Sequence, residues 1–346
     1  MKFDFCIGNP PYQGDNHQQV YPVFYLSGQQ IADCVDMIFP TGWQAPKNAN
    51  NLSLLNNADV KEDKQIVFID NKQNVFSGVS GAEWTNIIFW KKGYDNKLSG
   101  MQKILTNGAN AKTEHLNFEL SQISKPQEIL DLFELVKKAG KFKSIADITS
   151  SRKPYGLTTD FDIDPTKYGF EPIADKRKDD TDIKIYCKGG KEKYAHKGYA
   201  LPKTSDAINK YKVFVPYAWG NMSEKTGLGG AFSDIVIASP NEICTESYLE
   251  SGKFDDLETA TKHAKYLMTK FLRALLYINK FSQHSTTSWG AIPIQDYKEK
   301  WWNLSIEEID KELMKKYKVP QNIQKFVFDN FQTKTERNIT NYTEMA

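Results

Sequence analysis

Four short, nearly continuous apolar runs occupy the first ninety or so residues: "FDFCI" (3–7), "VDMIFP" (35–40), "KQIVFID" (64–70) and "TNIIFWK" (85–91). Strands read this way when helices cover both faces of a mostly parallel sheet, since neither face then needs polar residues. Between the first two runs, "YPVFYLSGQQIAD" repeats its apolar residues at helical spacing, which predicts a strand, crossover helix, strand unit. The glycines of "VFSGVSGAEW", just before the fourth run, suggest a hairpin or loop. The stretch reads as half of a doubly wound α/β sheet rather than a whole one.

The pattern then changes. Residues 99 to about 125 are polar and irregular, and Pro126 opens a predicted helix, "PQEILDLFELVKKAGK", that Gly140 closes. From Ser144 to about Cys244, short β-like runs alternate with charged loops; residues 141–212 carry 16 basic and 11 acidic side chains, against 8 and 10 in residues 1–100. A second domain with a different surface charge accounts for that shift. A long helix is predicted over 256–281, apolar on one face and basic on the other. In the tail, Ser305 and Glu308 form a capping box ahead of "IDKELMKKY", and Pro320 begins another helix.

A chain of 346 residues with a net charge of only +2 and a quarter of its residues charged has the composition of a folded, soluble protein, with room for two domains. No apolar run approaches the roughly 18 residues that span a membrane, and no signal peptide is recognisable, so a cytoplasmic location without a membrane partner is expected. Cys6, Cys34, Cys187 and Cys244 are scattered without metal-ligand spacing, as are the five histidines, so neither a zinc site nor a disulfide is expected.

The first run ends at once in Gly8-Asn9-Pro10-Pro11-Tyr12. Open α/β sheets place their ligands at the carboxyl ends of strands. Two consecutive prolines fix φ and remove N–H groups, so the turn offers carbonyl acceptors; Asn9 adds a side-chain acceptor and Tyr12 a flat ring. That set suits a planar group bearing an amine, such as adenine, whose exocyclic nitrogen is a poor nucleophile because its lone pair is delocalised. Acceptors gripping both amino hydrogens, the Asn9 amide oxygen and the Pro10 carbonyl, draw that nitrogen toward tetrahedral geometry and free the lone pair to attack a methyl sulfonium. A base in a duplex must be flipped out to reach such a site, at a cost of a few kcal/mol that stacking on Tyr12 offsets by roughly 1 to 3 kcal/mol. A rigid turn that merely closes a strand is the plainer reading of the same residues.

With "FDFCIGNPPYQ" as its catalytic motif IV, the chain resembles the adenine-specific DNA methyltransferases of restriction–modification systems. "VDMIFPTGW" resembles the family's next strand and loop, and "IDNKQNVFSGVSGAEWTNIIFWKKGYDNK" the segment carrying motif VIII. "SSRKPYGL", "INKYKVFVPYAWGN", "PNEICTESYL" and "KYLMTKFLRALLYINKFSQHSTTSWGAIPIQDY" are similar to the recognition and C-terminal parts of the larger bifunctional, type IIG-like members. The resemblance implies a partial Rossmann-like, S-adenosylmethionine-dependent methyltransferase sheet, followed by an α+β target-recognition domain and a helical C-terminal region. The implied domains are 1–98 (motifs IV to VIII), 99–300 (DNA recognition) and 301–346 (helical tail).

The resemblance makes Asn9 and Pro10 acceptors for the adenine amine, Pro11 the shaper of the turn, and Tyr12 and Phe76 the aromatic faces against the flipped base; core between strands is the lesser alternative for Phe76. It places Arg152, Lys153, Lys210, Lys212, Trp219, Asn221, Lys265, Lys270, Arg273, Gln283, His284 and Ser288 in segments that meet double-stranded DNA, where cations neutralise phosphates and amides read adenine edges. For each of these an ordinary solvated residue is at least as good a reading, and for His284 a buried structural histidine is an equal alternative.

Complete members carry a glycine-rich turn and a following acidic residue before motif IV, which hold S-adenosylmethionine; neither is found in this sequence. "TGLGGAF" (226–232) lacks a strand leading into it and reads as a loop, and isolated acid–lysine pairs such as Asp164 with Lys167 make no nuclease signature. The expectation is a site-specific adenine methyltransferase whose cofactor site is incomplete in this chain and completed by a second polypeptide. The alternatives are a non-catalytic DNA-binding specificity module and an inactive fragment.

Overall fold

In a computed structural model, residues 2–15, 18–44, 65–72, 85–96, 102–105, 125–169, 173–196, 198–218, 228, 233–280 and 288–343 are described. The chain divides into two compact units, Met1–Leu130 and Asp131–Ala346. The two helices of the expected 301–346 tail pack on helices inside the second unit.

The first unit is a five-stranded mixed sheet in the order β1-β2-β4-β3-β5, with β1 Phe3–Gly8, β2 Ala32–Pro40, β3 Ile66–Lys72, β4 Thr85–Lys91 and β5 Gln102–Leu105. β1 runs parallel to β2 through the crossover helix α1 (Tyr21–Ile31), as the sequence predicts. β4 is antiparallel to both β2 and β3, and β5 is parallel to β3. α1 and β2 abut without a loop: Ala32 leaves the helical region and starts the strand, three residues ahead of the predicted run.

α1 covers one face of the sheet. Tyr21 and Tyr25 pack there with Val35, Phe39, Trp43 and Trp90. A Cβ on Gly28 would lie 3.2 Å from Met37 and 3.3 Å from Val35, so the helix sits closer to the sheet than a larger residue allows. The free side of β1 is different. Among the described residues β1 pairs only with β2, and Phe3, Phe5 and Ile7 are 51%, 61% and 75% exposed.

The second unit holds helix α2 (Gln127–Lys138, which begins four residues before the division), two further sheets and a helical cluster. One sheet has the order β10-β6-β7, from β6 Ile183–Tyr186, β7 Glu192–Ala195 and β10 Glu242–Cys244. The other is β11-β8-β9-β12, from β8 Tyr211–Pro216, β9 Ile235–Ala238, β11 Tyr248–Phe254 and β12 Ile339–Thr340.

The single long helix expected over 256–281 is two: α3 (Leu257–Met268) and α4 (Lys270–Ile278). Thr269 between them is extended, at φ −63° and ψ 149°, and its side chain caps α4. The carboxylate of Asp310 accepts the first amides of α4, from Lys270 (2.8 Å) and Phe271 (2.8 Å), so the break is held from forty residues away, beyond the reach of a periodicity argument. Asp310 lies on α5 (Ile306–Lys316), whose Ser305–Glu308 capping box is present as expected, and α6 (Gln321–Asn330) follows Pro320. Among the described residues, no helix is long and apolar enough to cross a membrane.

Candidate base-binding site and charged surface

The turn after β1 sits at the carboxyl end of the sheet. Gly8 pairs with Met37, and one strand further the register Pro40–Thr85–Lys72 brings the end of β2, the start of β4 and the end of β3 to the same edge. Asn9 and Pro11 are exposed, Pro10 is buried and Tyr12 is half-buried against the α1-side core. The chain then folds back: Gly14 N–H donates to the Gln18 carbonyl (2.8 Å) and Val20 N–H to the Tyr12 carbonyl (3.3 Å). A free side chain at 9 therefore projects from a backbone pinned on both sides, which is the arrangement that the acceptor role needs.

Burial raises the Tyr12 phenol above its ordinary pKa, and its hydroxyl has no hydrogen-bond partner among the described residues. Tyr12 is therefore a neutral aromatic surface. Nearby in the register, Trp43 Nε1–H donates to Asn86 Oδ1 (2.6 Å), a buried pair that fixes the loop after β2 against the start of β4. Phe76 lies outside the described residues.

The cations of the second unit divide into two kinds. Lys212 is fully buried and donates to the carbonyls of Ile208 (3.3 Å), Lys210 (3.1 Å) and Ser239 (2.8 Å), and burial pulls it down to about 8. Arg273 is 5% exposed and donates to the carbonyls of Thr269 and Gln332. Burial lowers it to about 10. Neither side chain reaches the surface, where a contact to DNA would have to be made, contrary to the expectation for both. Lys265 donates to the Asn303 and Leu304 carbonyls and Lys270 to Phe328, so α3 and α4 use their basic residues to join chain segments.

At the surface, Lys210 pairs with Asp255. Arg152 and Lys153 are half-exposed and converge on one carboxylate, Glu246, which is 5% exposed. Glu246 carried no recognisable signal in the sequence beyond being the single charged residue of "ICTESYL". Trp219, Asn221, Gln283 and His284 lie outside the described residues, as does the side chain of Ser288 and, apart from Leu228, the "TGLGGAF" segment.

Two other arrangements mimic catalytic chemistry. Ser251 Oγ lies 2.9 Å from His263 Nε2, and His263 Nδ1 is 2.7 Å from the Tyr297 hydroxyl. Both Ser251 and His263 are fully buried, and burial drives the imidazole down to about 3, so the array is a closed hydrogen-bond chain with no access for substrate. Lys167 pairs with Asp160 (2.9 Å) rather than Asp164, which instead accepts from Thr166. All four cysteines are free, and burial raises Cys187 to about 12, an inert thiol. Among the described residues, no group of three acidic, histidine or cysteine side chains could hold a metal ion.

No protein-family model matches the chain, and no curated protein matches it. Among the solved structures similar to it are two restriction enzymes, both at 12% sequence identity. The type IIG restriction endonuclease BpuSI aligns over 94% of this chain and 51% of its own, with a TM-score of 0.32. The type IIL restriction–modification enzyme MmeI, solved in complex with DNA, aligns over 95% and 55%, with a TM-score of 0.43. The likeness is distant. The chain spans about half the length of each.

Proposed function

We propose that this chain is the base-binding and DNA-recognition part of a site-specific DNA adenine methyltransferase of a restriction–modification system. The observation that carries the reading is Asn9-Pro10-Pro11-Tyr12 at the carboxyl end of β1, with Asn9 exposed and Tyr12 half-buried as a neutral ring. Asn9 Oδ1 and the Pro10 carbonyl accept both hydrogens of the flipped adenine's amine, which localises its lone pair; Pro11 holds the turn and Tyr12 stacks on the base. The surplus proton of the methylated amine leaves to solvent, so no general base is needed. Phe76, Trp219, Asn221, Gln283 and His284 keep their expected roles in this reading.

S-adenosylmethionine is the methyl donor implied by the sequence resemblance. The described residues do not form a cradle for it. A doubly wound sheet binds its cofactor in a crevice walled by strands on both sides of the switch point. β1 has a neighbour on one side only among the described residues, so the second wall is missing from that set. The reading therefore includes a second polypeptide segment that lies along β1 and supplies that wall. The exposed Phe3, Phe5 and Ile7 favour it, because an apolar strand edge left in water invites strand pairing.

The missing wall also favours a second reading, a DNA-binding specificity module without catalysis. Mapping N6-methyladenine in cells that carry the gene in its native context separates the two. Loss of site-specific methylation on Asn9→Ala is the expected result; undiminished methylation refutes the acceptor mechanism. Calorimetric titration of S-adenosylmethionine into the purified chain should give no binding, and tight binding would refute the incomplete site.

A further inference from the structure

Arg152 and Lys153 are adjacent in sequence, so in an extended chain their side chains would point apart. They meet on one carboxylate because Lys153 adopts φ +59°, a left-handed conformation that a lysine enters only when its surroundings impose it. Those surroundings are explicit. Ser150 N–H donates to the Glu250 carbonyl (2.7 Å) and its hydroxyl accepts the Glu250 amide (2.9 Å), which ties one end of the loop to β11. Tyr155, fully buried, donates its hydroxyl to Glu250 Oε2 (2.5 Å). Gly156 turns the chain at φ +79°, where a Cβ would stand 2.8 Å from Pro202. The Leu157 carbonyl then accepts the amide of Glu246 itself (2.8 Å). Residues 152 and 153 form the tip of a loop clamped at both ends.

Glu246 is held just as firmly, since its Oε1 accepts the Thr159 amide (3.0 Å). Its Oε2 lies 2.9 Å from Arg152 Nη2 and 3.6 Å from Lys153 Nζ. The shorter contact is an ion pair through one guanidinium nitrogen, and no hydrogen bond from Arg152 to another group is present among the described residues, which leaves its remaining donors to an incoming acceptor. The ring of Tyr217 lies 5.0 Å from the guanidinium carbon, and Tyr217 is anchored beside Glu246 by its amide on the Ser247 carbonyl (2.9 Å). One face of the guanidinium is thus covered and the other is open, with the side chain 51% exposed.

We propose that Arg152, seated between Tyr217 and the buried Glu246, is a pre-set contact to a paired acceptor of duplex DNA, with Glu246 as its positioning residue. The inference rests on the DNA-recognition reading above. A long side chain already fixed in place loses less rotamer freedom when it engages, and a planar fork matches either two phosphate oxygens or the O6/N7 edge of guanine. Lys153 adds a second cation beside it for the backbone.

The test uses the purified chain and a fluorescent mixed-sequence duplex, read by anisotropy across a series of salt concentrations. Glu246→Gln keeps an acceptor for the Thr159 amide and adds one unit of net positive charge. If Glu246 were only a nearby negative charge, the variant would bind DNA more tightly; positioning predicts roughly fivefold weaker binding, with Glu246→Asp recovering part of it. Arg152→Lys keeps the charge and loses the fork and the stack, and is expected to weaken binding roughly tenfold. In Arg152→Ala, a salt slope lower by about 1 identifies a phosphate as the acceptor, and an unchanged slope with lost affinity identifies a base edge. Unchanged or tighter binding by Glu246→Gln, or unchanged binding by Arg152→Lys, with urea midpoints equal to the parent's, overturns the proposal. A parent chain that binds no duplex even at low salt overturns the DNA-recognition reading itself.

Discussion

Acidification provides a sharp test of the buried network around α3 and α4. His263 is fully buried and its pKa falls from 6.5 to about 3, because burial penalises the imidazolium. The folded protein keeps it neutral while the unfolded chain protonates it below 6.5, so its share of stability is lost as pH falls through that value. At about 1.36 kcal/mol per unit, the loss between pH 6.5 and 4 is about 3 kcal/mol. Asp310 acts in the opposite direction: burial raises it from 3.8 to about 6, against the two α4 amides and Arg273, which favour the carboxylate. The folded state takes up that proton first, so stability rises by about 3 kcal/mol as pH falls from 6 to 3.8. Between pH 6 and 4 the two slopes cancel. His263→Gln retains groups able to pair with Ser251 and Tyr297 but does not titrate, so its stability relative to the parent should improve by about 3 kcal/mol between pH 7 and pH 4. Asp310→Asn should do the reverse over the same range, since the histidine slope is then unopposed. Urea unfolding followed by tryptophan fluorescence at several pH values measures both; surface carboxylates are common to all three proteins and drop out of the differences. Parallel profiles for the parent and His263→Gln would refute the argument.

Further outcomes follow from single contacts. Asn86→Ala leaves the buried indole N–H of Trp43 without its acceptor and should cost about 2 to 3 kcal/mol in urea unfolding, whereas adding Trp43→Phe to it should recover part of that loss. Ile7→Lys on the exposed edge of β1 should lower self-association in light scattering while changing stability by less than about 0.5 kcal/mol, since Ile7 is 75% exposed. Ser305→Ala removes the cap of α5 and should cost about 1 kcal/mol, read as a lower urea midpoint.

Four of the five strands of the first unit were legible as apolar runs, whereas β5 (Gln102–Leu105) was not, because its four residues lie in a stretch of polar, irregular sequence. The α5 cap was legible because a capping box is local. The break at Thr269 was not: "KYLMTKFLRALLYI" keeps its apolar spacing straight through the break. What turns the chain is Asp310, through two backbone amides, and a distant acceptor leaves no trace in local pattern. The turn at Asn9–Tyr12 could be read as chemistry because two prolines, an amide and an aromatic restrict what it can do. The clamp on Arg152 could not, because it depends on a left-handed lysine and on Glu246, almost a hundred residues away in the chain.

The same limit explains why the basic residues misled. A lysine or arginine in a sequence is taken as solvated by default, since isolated burial of its charge is so costly. This fold repeatedly avoids that cost with main-chain carbonyls: three for Lys212, two each for Lys265 and Arg273, and one for Lys270. Moving a cation held this way would orphan the carbonyls along with the charge. Arg152 is held by a carboxylate and an aromatic ring, which fix its position while leaving its remaining donors unspent. Among the described candidates, the partner rather than the residue type separates a cation that builds the fold from one that can meet a phosphate or a base.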